Sequence, residues 1–237
     1  MPLAHQSAVS CRPETGRYHP IAEKMSSRIR YKVNVGSEVY TLSPTTFFCN
    51  TMTTQQPEIQ AHLHETLVEQ ETLYRGNFLH LRRDLVRLPD GKETTREYVV
   101  HPGAVVVIPL LDNGHVLLEQ QFRYPVGQVM IELPAGKLDA GEDPLLCGQR
   151  ELLEETGYSA REWTPAGKIH LAIGYSNEIL YAYFAKGLTQ GERCLDDGEF
   201  LDVFSMPVPE FLQACRDGRV TDAKTLACAF WLQNLQD

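Results

Sequence analysis

The chain has 237 residues, a formal net charge of −9 and 43% hydrophobic residues. This hydrophobic content is enough for a packed core, and the length suits one large domain or one domain with an appendage. The negative charge argues against a nonspecific nucleic-acid binder, whose surface is basic. No apolar run approaches the roughly 18 residues of a membrane span, so we expect neither a nucleic-acid nor a membrane partner.

Residues 1–57 differ in composition from the rest of the chain. They carry six basic and three acidic side chains and show no convincing amphipathic period. Two short segments, 30–35 and 38–42, have the pattern of strands. Met52 followed by TTQQPE is typical of a protein N-terminus, so one hypothesis is that residues 1–51 precede the true start. We predict a poorly ordered N-terminal extension at 1–57 and a folded domain at 58–237.

The six cysteines show no CxxC motif and no Cys/His spacing that is typical of a metal site. In a chain of this length they are typical of reduced thiols. We therefore predict a cytoplasmic protein whose cysteines form no disulfide framework. The positions are Cys11, Cys49, Cys147, Cys194, Cys215 and Cys228.

Residues 71–235 show a regular series of strand and helix patterns. Residues 104–111 are nearly all apolar, as expected of a central buried strand. The turn Asp112-Asn113-Gly114 predicts a hairpin that joins this strand to the next one. Strands surrounded by a few helices predict an α/β fold. The other predicted strands are at 71–74, 78–87, 94–100, 115–122, 130–133, 163–172, 179–185 and 199–206, and helices are predicted at 209–217 and 222–235.

Another helix is predicted at residues 145–156. Asp143 is a suitable N-cap residue, and Pro144 suits the first helical position. Good helix formers follow, with an apolar stripe along one side. Gly157 then supplies the left-handed residue that commonly ends a helix.

Three glutamates of this helix, Glu151, Glu154 and Glu155, lie at i, i+3 and i+4 and therefore share one face. Like charges so placed repel each other, and no lysine separates them, so the helix needs a counterion. Hard divalent cations such as Mg²⁺ take oxygen ligands. The neighbouring Arg150 can orient a carboxylate through a bidentate pair, and a turn at 134–136 can add a backbone carbonyl. The alternative is a solvated acidic face of the helix.

The segment from Gly136 to Tyr158 contains these features and has the sequence GKLDAGEDPLLCGQRELLEETGY. It resembles the Nudix box, the signature of hydrolases that cleave nucleoside diphosphates linked to another group. Only the last position, which is usually aliphatic, departs from the box, since it holds Tyr158. The resemblance implies the Nudix fold for residues 58–237: an α/β/α sandwich with a mixed β-sheet, preceded by an N-terminal region of antiparallel strands.

Four further stretches resemble the ADP-ribose pyrophosphatase branch of this family: REYVVHPGAVVVIPL, LEQQFRYPVGQVMIELPAGKLDAGE, IGYSNE and DAKTLACAFWLQ. This resemblance implies Mg²⁺-dependent hydrolysis of ADP-ribose to AMP and ribose 5-phosphate. It also implies a homodimer that exchanges N-terminal strands. Members of the branch often carry a proline in a loop past the box, where this chain has Ile173.

Two alternative functions remain open at this point. One is a broader diphosphatase that acts on nucleotide sugars of the GDP-mannose type or on dinucleotides. The other is a non-catalytic module that binds a nucleotide. The complete set of glutamates argues against the second alternative, because a module that only binds has no need of all the metal carboxylates.

The resemblance implies roles for individual residues around the metal. The Ala135 carbonyl would hold Mg²⁺, with Mn²⁺ as the alternative cation, together with the carboxylates of Glu151, Glu154, Glu155 and Glu199. The resemblance also implies catalytic roles for four residues: Arg150, Glu154, Asp197 and Glu199. The carboxylate that accepts a proton is expected on the acidic loop at 194–199, where Asp197 takes the usual glutamate position and Glu199 is the alternative. A solvated acidic loop is the other interpretation.

The same resemblance implies six substrate-binding residues. Arg123 is expected to pair with the diphosphate, and Phe78 to pack on the adenine. Arg96 and Glu97 are expected to contact the substrate across a dimer interface. The alternatives are a surface role for Arg123, a cross-strand charge pair on the hairpin and a core position for Phe78. The full set is Arg96, Glu97, Arg123, Lys137, Glu178 and Phe78.

Overall fold

The computed structural model describes residues 31–35, 38–42 and 58–235. These residues divide into two compact units, with the boundary between His64 and Glu65. In the first unit, β1 (Tyr31–Val35) and β2 (Glu38–Leu42) pair antiparallel, and a 3-10 helix spans Glu58–Leu63. The rest of the predicted extension, including the suggested start at Met52, lies outside the described residues. Its order and its boundary at residue 57 therefore stay predictions.

The second unit contains three sheets and three helices. One sheet is an antiparallel meander of order β3-β4-β5, and another is antiparallel with the order β12-β7-β8. The third, of order β10-β11-β6-β9, is mixed, because β11 and β6 run parallel. The elements are β3 (Thr66–Arg75), β4 (His80–Arg87), β5 (Glu93–Val99), β6 (Ala104–Pro109), β7 (His115–Arg123), β8 (Gln128–Glu132), β9 (Ala135–Lys137), α1 (Pro144–Thr156), β10 (Tyr158–Ile169), β11 (Leu180–Gln190), β12 (Leu201–Pro207), α2 (Val208–Arg216) and α3 (Ala223–Gln233).

Strand β6 is central, and all six of its residues are buried. Successive side chains of a strand point to opposite faces of the sheet. Val106 packs in one apolar cluster with Phe211 of α2 and Leu232 of α3. Val105 packs in another cluster with Cys147 of α1. Helix α1 therefore covers one face, and α2 and α3 cover the other, which confirms the predicted α/β/α sandwich.

The predicted hairpin between β6 and β7 forms its turn, but the ladder stops after a single bridge. The Leu111 N–H donates to the His115 carbonyl at 2.9 Å, and the bridge joins Leu110 to Val116. Strand β6 uses its two edges for β11 and β9, whereas β7 uses its edges for β12 and β8. Because a strand has only two edges, the two strands belong to different sheets, and the prediction of a paired hairpin was wrong.

Helix α1 begins and ends where the sequence predicts. The Asp143 carboxylate accepts hydrogen bonds from the Leu145 N–H at 2.9 Å and the Leu146 N–H at 3.3 Å. Gly157 adopts φ 76° and donates its N–H to the Leu153 carbonyl. The chain reverses at once at this glycine, so β10 begins at Tyr158 and not at residue 163 as predicted. In the described part of the chain, no helix is long and apolar enough to cross a membrane.

Candidate active site

The short strand β9 lies against the acidic face of α1. The Ala135 N–H donates to Glu155 Oε2 at 3.1 Å. A Cβ atom placed on Gly136 would overlap the carboxylate of Glu151. A side chain at the first position of the box would therefore displace the Glu151 carboxylate from its place beside β9. The contact brings together Ala135, Glu151 and Glu155, three of the predicted metal ligands.

Arg150 binds three carboxylates at once. Its Nε and Nη2 donate to the two oxygens of Glu142, both at 3.0 Å, and its Nη1 donates to Glu151 at 2.8 Å and to Glu154 at 2.9 Å. The hydrogen bond from Arg150 lowers the pKa of Glu142 to about 2. Its Nη2 also lies 3.3 Å from the Lys137 carbonyl. Arg150 thus fixes the carboxylates of α1 relative to β9.

Two carboxylates at this site are almost fully buried. Glu155 is 4% exposed, and Glu119 of β7 is 0% exposed. Among the described residues, neither oxygen of Glu119 has a hydrogen-bond partner. Burial raises the pKa of Glu155 well above its ordinary value, and the negative charges of Glu119, Glu151 and Glu199 raise it further. These four carboxylates therefore repel one another in a region that water does not reach freely.

Sequence reasoning missed Glu119. Its strand carries the apolar run Val116, Leu117 and Leu118, and these residues are buried with it. The sequence signal that could have identified it is an acidic residue that directly follows a buried apolar run. Carboxylates are rarely fully buried without a partner, so such a residue is a candidate for a functional role. Its relation to α1 depends on the pairing of distant strands, which the sequence does not display.

The carboxylate and carbonyl oxygens of this site are suitable ligands for a divalent cation. Hard cations prefer carboxylate and carbonyl oxygens. In the described ranges, no three His, Cys, Asp or Glu side chains already have the arrangement needed to hold a metal ion. Arg150 and the Ala135 N–H bind several of the carboxylate oxygens. Glu119 is nevertheless buried without a hydrogen-bond partner, and it repels Glu155. Both features indicate that positive charge is missing at this position. Metal binding then requires the carboxylates to turn toward a common point.

The acidic loop brings Glu199 to this cluster. Glu199 is half-buried, and its N–H donates to the Asp196 carbonyl at 3.0 Å. The pKa of Glu151 is raised to about 7, mainly by burial, and the charge of Glu199 is one of the further causes. Asp197 lies exposed at the tip of the same loop. Of the two predicted catalytic carboxylates on the loop, Glu199 is thus the one that faces the glutamates of α1.

Two of the predicted substrate-binding residues, Phe78 and Lys137, meet on the surface beside β9. The Lys137 Nζ lies 5.1 Å from the centre of the Phe78 ring, within the range of a cation–π contact. Phe78 is 72% exposed, so the alternative of a core phenylalanine is wrong. An exposed aromatic ring next to a lysine offers a flat surface for another ring.

Arg96 and Glu97 each have a charged partner. Arg96 pairs with Glu65, and Glu97 pairs with Arg83 of the neighbouring strand at 2.7 Å. The cross-strand charge pair is therefore present for Glu97. Both residues also line a cavity of about 250 Å³, and the loop that carries Ile173 forms the opposite wall. The other lining residues are Tyr98, Gly174, Tyr175, Ser176 and Asn177.

Arg123 belongs to a buried ionic network. Its Nε and Nη2 donate to the two oxygens of Glu132 at 2.7 and 2.8 Å, and Lys224 of α3 pairs with Glu132 and, at 3.0 Å, with Asp222. Burial opposes ionisation of Glu132, but the hydrogen bonds from Arg123 and the charge of Lys224 outweigh it and lower its pKa. The Arg123 side chain is 40% exposed, so part of it remains accessible to solvent.

The last predicted substrate residue, Glu178, lies two residues before β11. Its Oε1 is 3.9 Å from His101 Nδ1, and its backbone carbonyl lies 3.3 Å from His170 Nδ1. Glu178 follows the loop that carries Ile173. The structure therefore places Glu178 near the cavity but not in its lining.

Without a divalent cation, we expect the thermal midpoint of unfolding to fall as the pH rises from 5 to 8. Burial raises the pKa of Glu119 to about 8 and that of Glu151 to about 7, from an ordinary value of 4.5. Between the ordinary pKa of 4.5 and these raised values, the folded state binds more protons than the unfolded state. The contribution of these two groups to the free energy of unfolding is therefore full below about pH 4.5 and is lost as the pH rises. The contribution of Glu142 changes only below this window, since its pKa is about 2. Thermal denaturation in EDTA measures the trend, and a midpoint that rises across the window contradicts it.

Comparison with known proteins identifies relatives of this chain. Residues 100–227 match the model of the NUDIX domain, and residues 65–99 match that of the nucleoside diphosphate sugar hydrolase N-terminal domain. The chain is 37% identical over 171 residues to the methanol dehydrogenase activator of Bacillus methanolicus, over 71% of this chain and 92% of that protein. It is also 37% identical over 176 residues to the ADP-ribose pyrophosphatase of Bacillus subtilis (strain 168), over 73% and 94%. A crystal structure described as an ADP compounds hydrolase has the same fold, with a TM-score of 0.66 at 21% identity, over 73% of this chain and 95% of that chain.

Proposed function

The chain belongs to the Nudix hydrolase family, and we propose that it hydrolyses the diphosphate linkage of ADP-ribose to give AMP and ribose 5-phosphate. The observation that carries this proposal is the contact of β9 with α1, where Ala135 and Gly136 meet the carboxylates of Glu155 and Glu151. Buried oxygen donors beside a half-buried loop carboxylate suit metal-assisted attack of water on phosphorus. The name of the Bacillus subtilis relative supports ADP-ribose as the substrate.

The proposed cofactor is Mg²⁺, with Mn²⁺ as the alternative. When bound, the cation would neutralise charge on the diphosphate and lower the pKa of a water molecule. The chain supplies only oxygen ligands for it, which is the chemistry that these hard cations prefer. The proposed ligands are the Ala135 carbonyl and the carboxylates of Glu151, Glu154, Glu155 and Glu199.

In this proposal, a carboxylate of the acidic loop accepts a proton from the attacking water. The water oxygen forms a bond to one phosphorus, the bond from that phosphorus to the bridging oxygen breaks, and the water proton passes to a loop carboxylate. The half-buried position of Glu199 beside α1 supports it as the acceptor, and the exposed Asp197 is the alternative. Arg150 and Glu154 complete the catalytic set, because Arg150 holds Glu154 and Glu151 in fixed orientations.

Arg123 stabilises the departing phosphate in this proposal. Two of its nitrogens are bound to Glu132, and this pair holds the guanidinium in a fixed orientation. The side chain remains partly exposed, so its remaining N–H groups are available to a phosphate oxygen. A positive charge fixed before the reaction stabilises developing negative charge without reorganisation.

The remaining substrate contacts are proposed on the surface around β9. Phe78 packs on the adenine, and Lys137 lies beside it. Arg96 and Glu97 contact the substrate from the cavity that they share with the Ile173 loop. Glu178, which follows this loop, is the last contact. This loop is the place where selectivity between ADP-ribose and other nucleotide sugars is expected to arise.

We also propose a homodimer that exchanges N-terminal strands. Strand β3 is exposed along nearly its whole length, and its apolar residues Leu67, Val68 and Tyr74 are exposed with it. Contiguous exposed apolar side chains are typical of an interaction surface. Light scattering is expected to give the mass of two chains. A monomer would remove the basis for contacts of Arg96 and Glu97 across an interface.

A cytoplasmic location is part of the proposal. Cys147 and Cys228 are buried thiols that form no disulfide, as is typical of a reducing compartment. Burial raises the pKa of Cys228 to about 12, so this thiol is an inert core residue. Cell fractionation with an antibody against the chain tests the location.

A hydrolysis panel tests the proposed substrate. The wild-type chain is incubated with Mg²⁺ and ADP-ribose, GDP-mannose, ADP-glucose, NADH or a dinucleoside polyphosphate, and the products are separated by chromatography. We expect the highest kcat/KM for ADP-ribose, with AMP as a product. A preference for GDP-mannose or a dinucleotide would support the broader diphosphatase, and the absence of turnover on every substrate would support a binding module.

The Gly136→Ala variant is expected to lose hydrolytic activity by about 100-fold, because the new Cβ displaces the Glu151 carboxylate and a shift of about 1 Å in a reacting site has this effect. Its circular dichroism spectrum is expected to match that of the wild type. Gly191→Ala is the control, since a Cβ there meets only one atom, at 3.4 Å. Equal activity of Gly136→Ala and Gly191→Ala would contradict the role of the close approach.

A further inference from the structure

We propose that Glu119 is an additional ligand of the divalent cation, which approaches it from the sheet opposite α1. This inference rests on the proposed metal-dependent function and adds to it a residue outside the box and outside the acidic loop. The cation would then be held between carboxylates of the helix and a carboxylate of strand β7.

The first observation is that Glu119 is buried without a partner. Its side chain is 0% exposed, and within the described residues both carboxylate oxygens lack a hydrogen bond. A buried polar group in this condition is costly, and a native structure that keeps one calls for a specific reason, such as a bound ion. An apolar residue at this position would not carry this cost.

The second observation is that the neighbouring cations are already engaged. Glu119 lies directly opposite Glu132 in the β7–β8 ladder. Arg123 binds both oxygens of Glu132, and Lys224 binds Glu132 and Asp222. The network therefore neutralises Glu132 and gives no hydrogen bond to Glu119, although their strand positions are adjacent.

The third observation is the position of Glu119 relative to α1. The strand that carries its partner Glu132 continues through Leu133 and Pro134 to Ala135, whose N–H binds Glu155. Glu119 and Glu155 repel each other electrostatically, and among the charges that act on Glu155, Glu119 has the largest effect. The pairing of β7 with β8 therefore brings the buried Glu119 close to the place where β9 meets the carboxylates of α1.

A divalent cation resolves this conflict, because it takes several oxygen ligands and compensates their repulsion. If Glu119 of β7 and the glutamates of α1 are all ligands, a single ion would link this strand to the helix. The glutamates of the box proposed as ligands all lie on α1. Glu119 would add a ligand from a strand.

Calorimetric titration with Mn²⁺ alone, without nucleotide, tests the assignment on the full chain. Glu119→Gln keeps the shape of the side chain and removes its charge. We expect it to weaken Mn²⁺ binding by about tenfold or more, as loss of a supporting group at a metal site does. Asp84→Asn is the matched control, because Asp84 is also buried, has one unpartnered oxygen and lies outside the cluster. We expect this control to bind Mn²⁺ as the wild type does.

Thermal denaturation separates a ligand from a structural residue. In EDTA, Glu119→Gln and Glu119→Leu are expected to unfold at the same temperature as the wild type or higher, since each removes an unpaired buried carboxylate. With Mn²⁺ the wild type is expected to gain more stability than either variant, because a ligand that binds the folded state stabilises it in proportion to its affinity. Variants that are destabilised in EDTA and still gain the full shift with Mn²⁺ would overturn the proposal.

The proposed function and this inference can fail separately. If the wild type hydrolyses ADP-ribose with Mg²⁺ while Glu119→Gln binds Mn²⁺ as tightly as the wild type, the function stands and the role of Glu119 is overturned. If the wild type binds no Mn²⁺ and hydrolyses none of the substrates, both are overturned. Weaker binding by Glu119→Gln together with normal binding by Asp84→Asn supports the assignment.

Discussion

Replacement of Glu155 by Gln is expected to lower kcat for ADP-ribose by about 10³-fold or more, because loss of a metal ligand removes several kcal/mol of charge stabilisation in the transition state. Glu155 is almost fully buried and accepts a hydrogen bond from the Ala135 N–H. A glutamine oxygen can still accept this hydrogen bond, so the contact of α1 with β9 is retained. Only the charge is lost.

Two measurements accompany this variant. Thermal denaturation in EDTA is expected to show a midpoint equal to or above that of the wild type, since the variant carries one fewer buried carboxylate. Mn²⁺ titration is expected to show weaker binding. Glu162→Gln is the control, because Glu162 lies exposed on β10, and it is expected to retain full activity. Near-wild-type kcat in Glu155→Gln would refute its role as a metal ligand.

The Lys224→Met variant is expected to lose about 3 kcal/mol of the free energy of unfolding, because removal of one partner of a buried ion pair leaves the other charge less well compensated. Lys224 and Glu132 are both buried, and Arg123 alone then remains to balance Glu132. Methionine retains the length of the apolar stem. Urea denaturation at pH 7 measures the change in the free energy of unfolding.

A double-mutant cycle tests whether this loss comes from the ion pair. In a Glu132→Gln background, Lys224→Met is expected to cost about 2 kcal/mol less than in the wild type, in the range found for residues in direct contact. The same loss in both backgrounds would show that Lys224 contributes through packing or through its pair with Asp222, and not through its pair with Glu132. Asp222 does not change this comparison, because it is present in all four proteins of the cycle.

Helix α1 could be predicted from the sequence because its signals are local. Asp143, Pro144 and Gly157 are neighbours of the helix in the chain and determine its ends. The spacing of Glu151 and Glu155 follows from helical geometry alone. The close approach of Gly136 to Glu151, by contrast, is visible only in the structure, because it depends on the packing of β9 against α1.

The parts of the site that could not be predicted depend on strand pairing. Glu132 and Lys224 are 92 positions apart in the chain, and their pairing requires β8 and α3 to meet. Glu119 reaches the cluster only because β7 pairs with β8 and not with β6. The Asp112-Asn113-Gly114 turn favoured the opposite pairing, since a short turn between two apolar strands usually joins a hairpin. Competition for the two edges of β6 decided the outcome.

The most direct test of the account is the rate of AMP formation from ADP-ribose, measured with Mg²⁺, after addition of excess EDTA, and after Mg²⁺ is restored. We expect rapid formation of AMP and ribose 5-phosphate with Mg²⁺, loss of the reaction in EDTA and recovery when the metal returns. No AMP formation with either Mg²⁺ or Mn²⁺, or a rate that EDTA leaves unchanged, would contradict the assignment of the carboxylate cluster as a metal-dependent diphosphatase site.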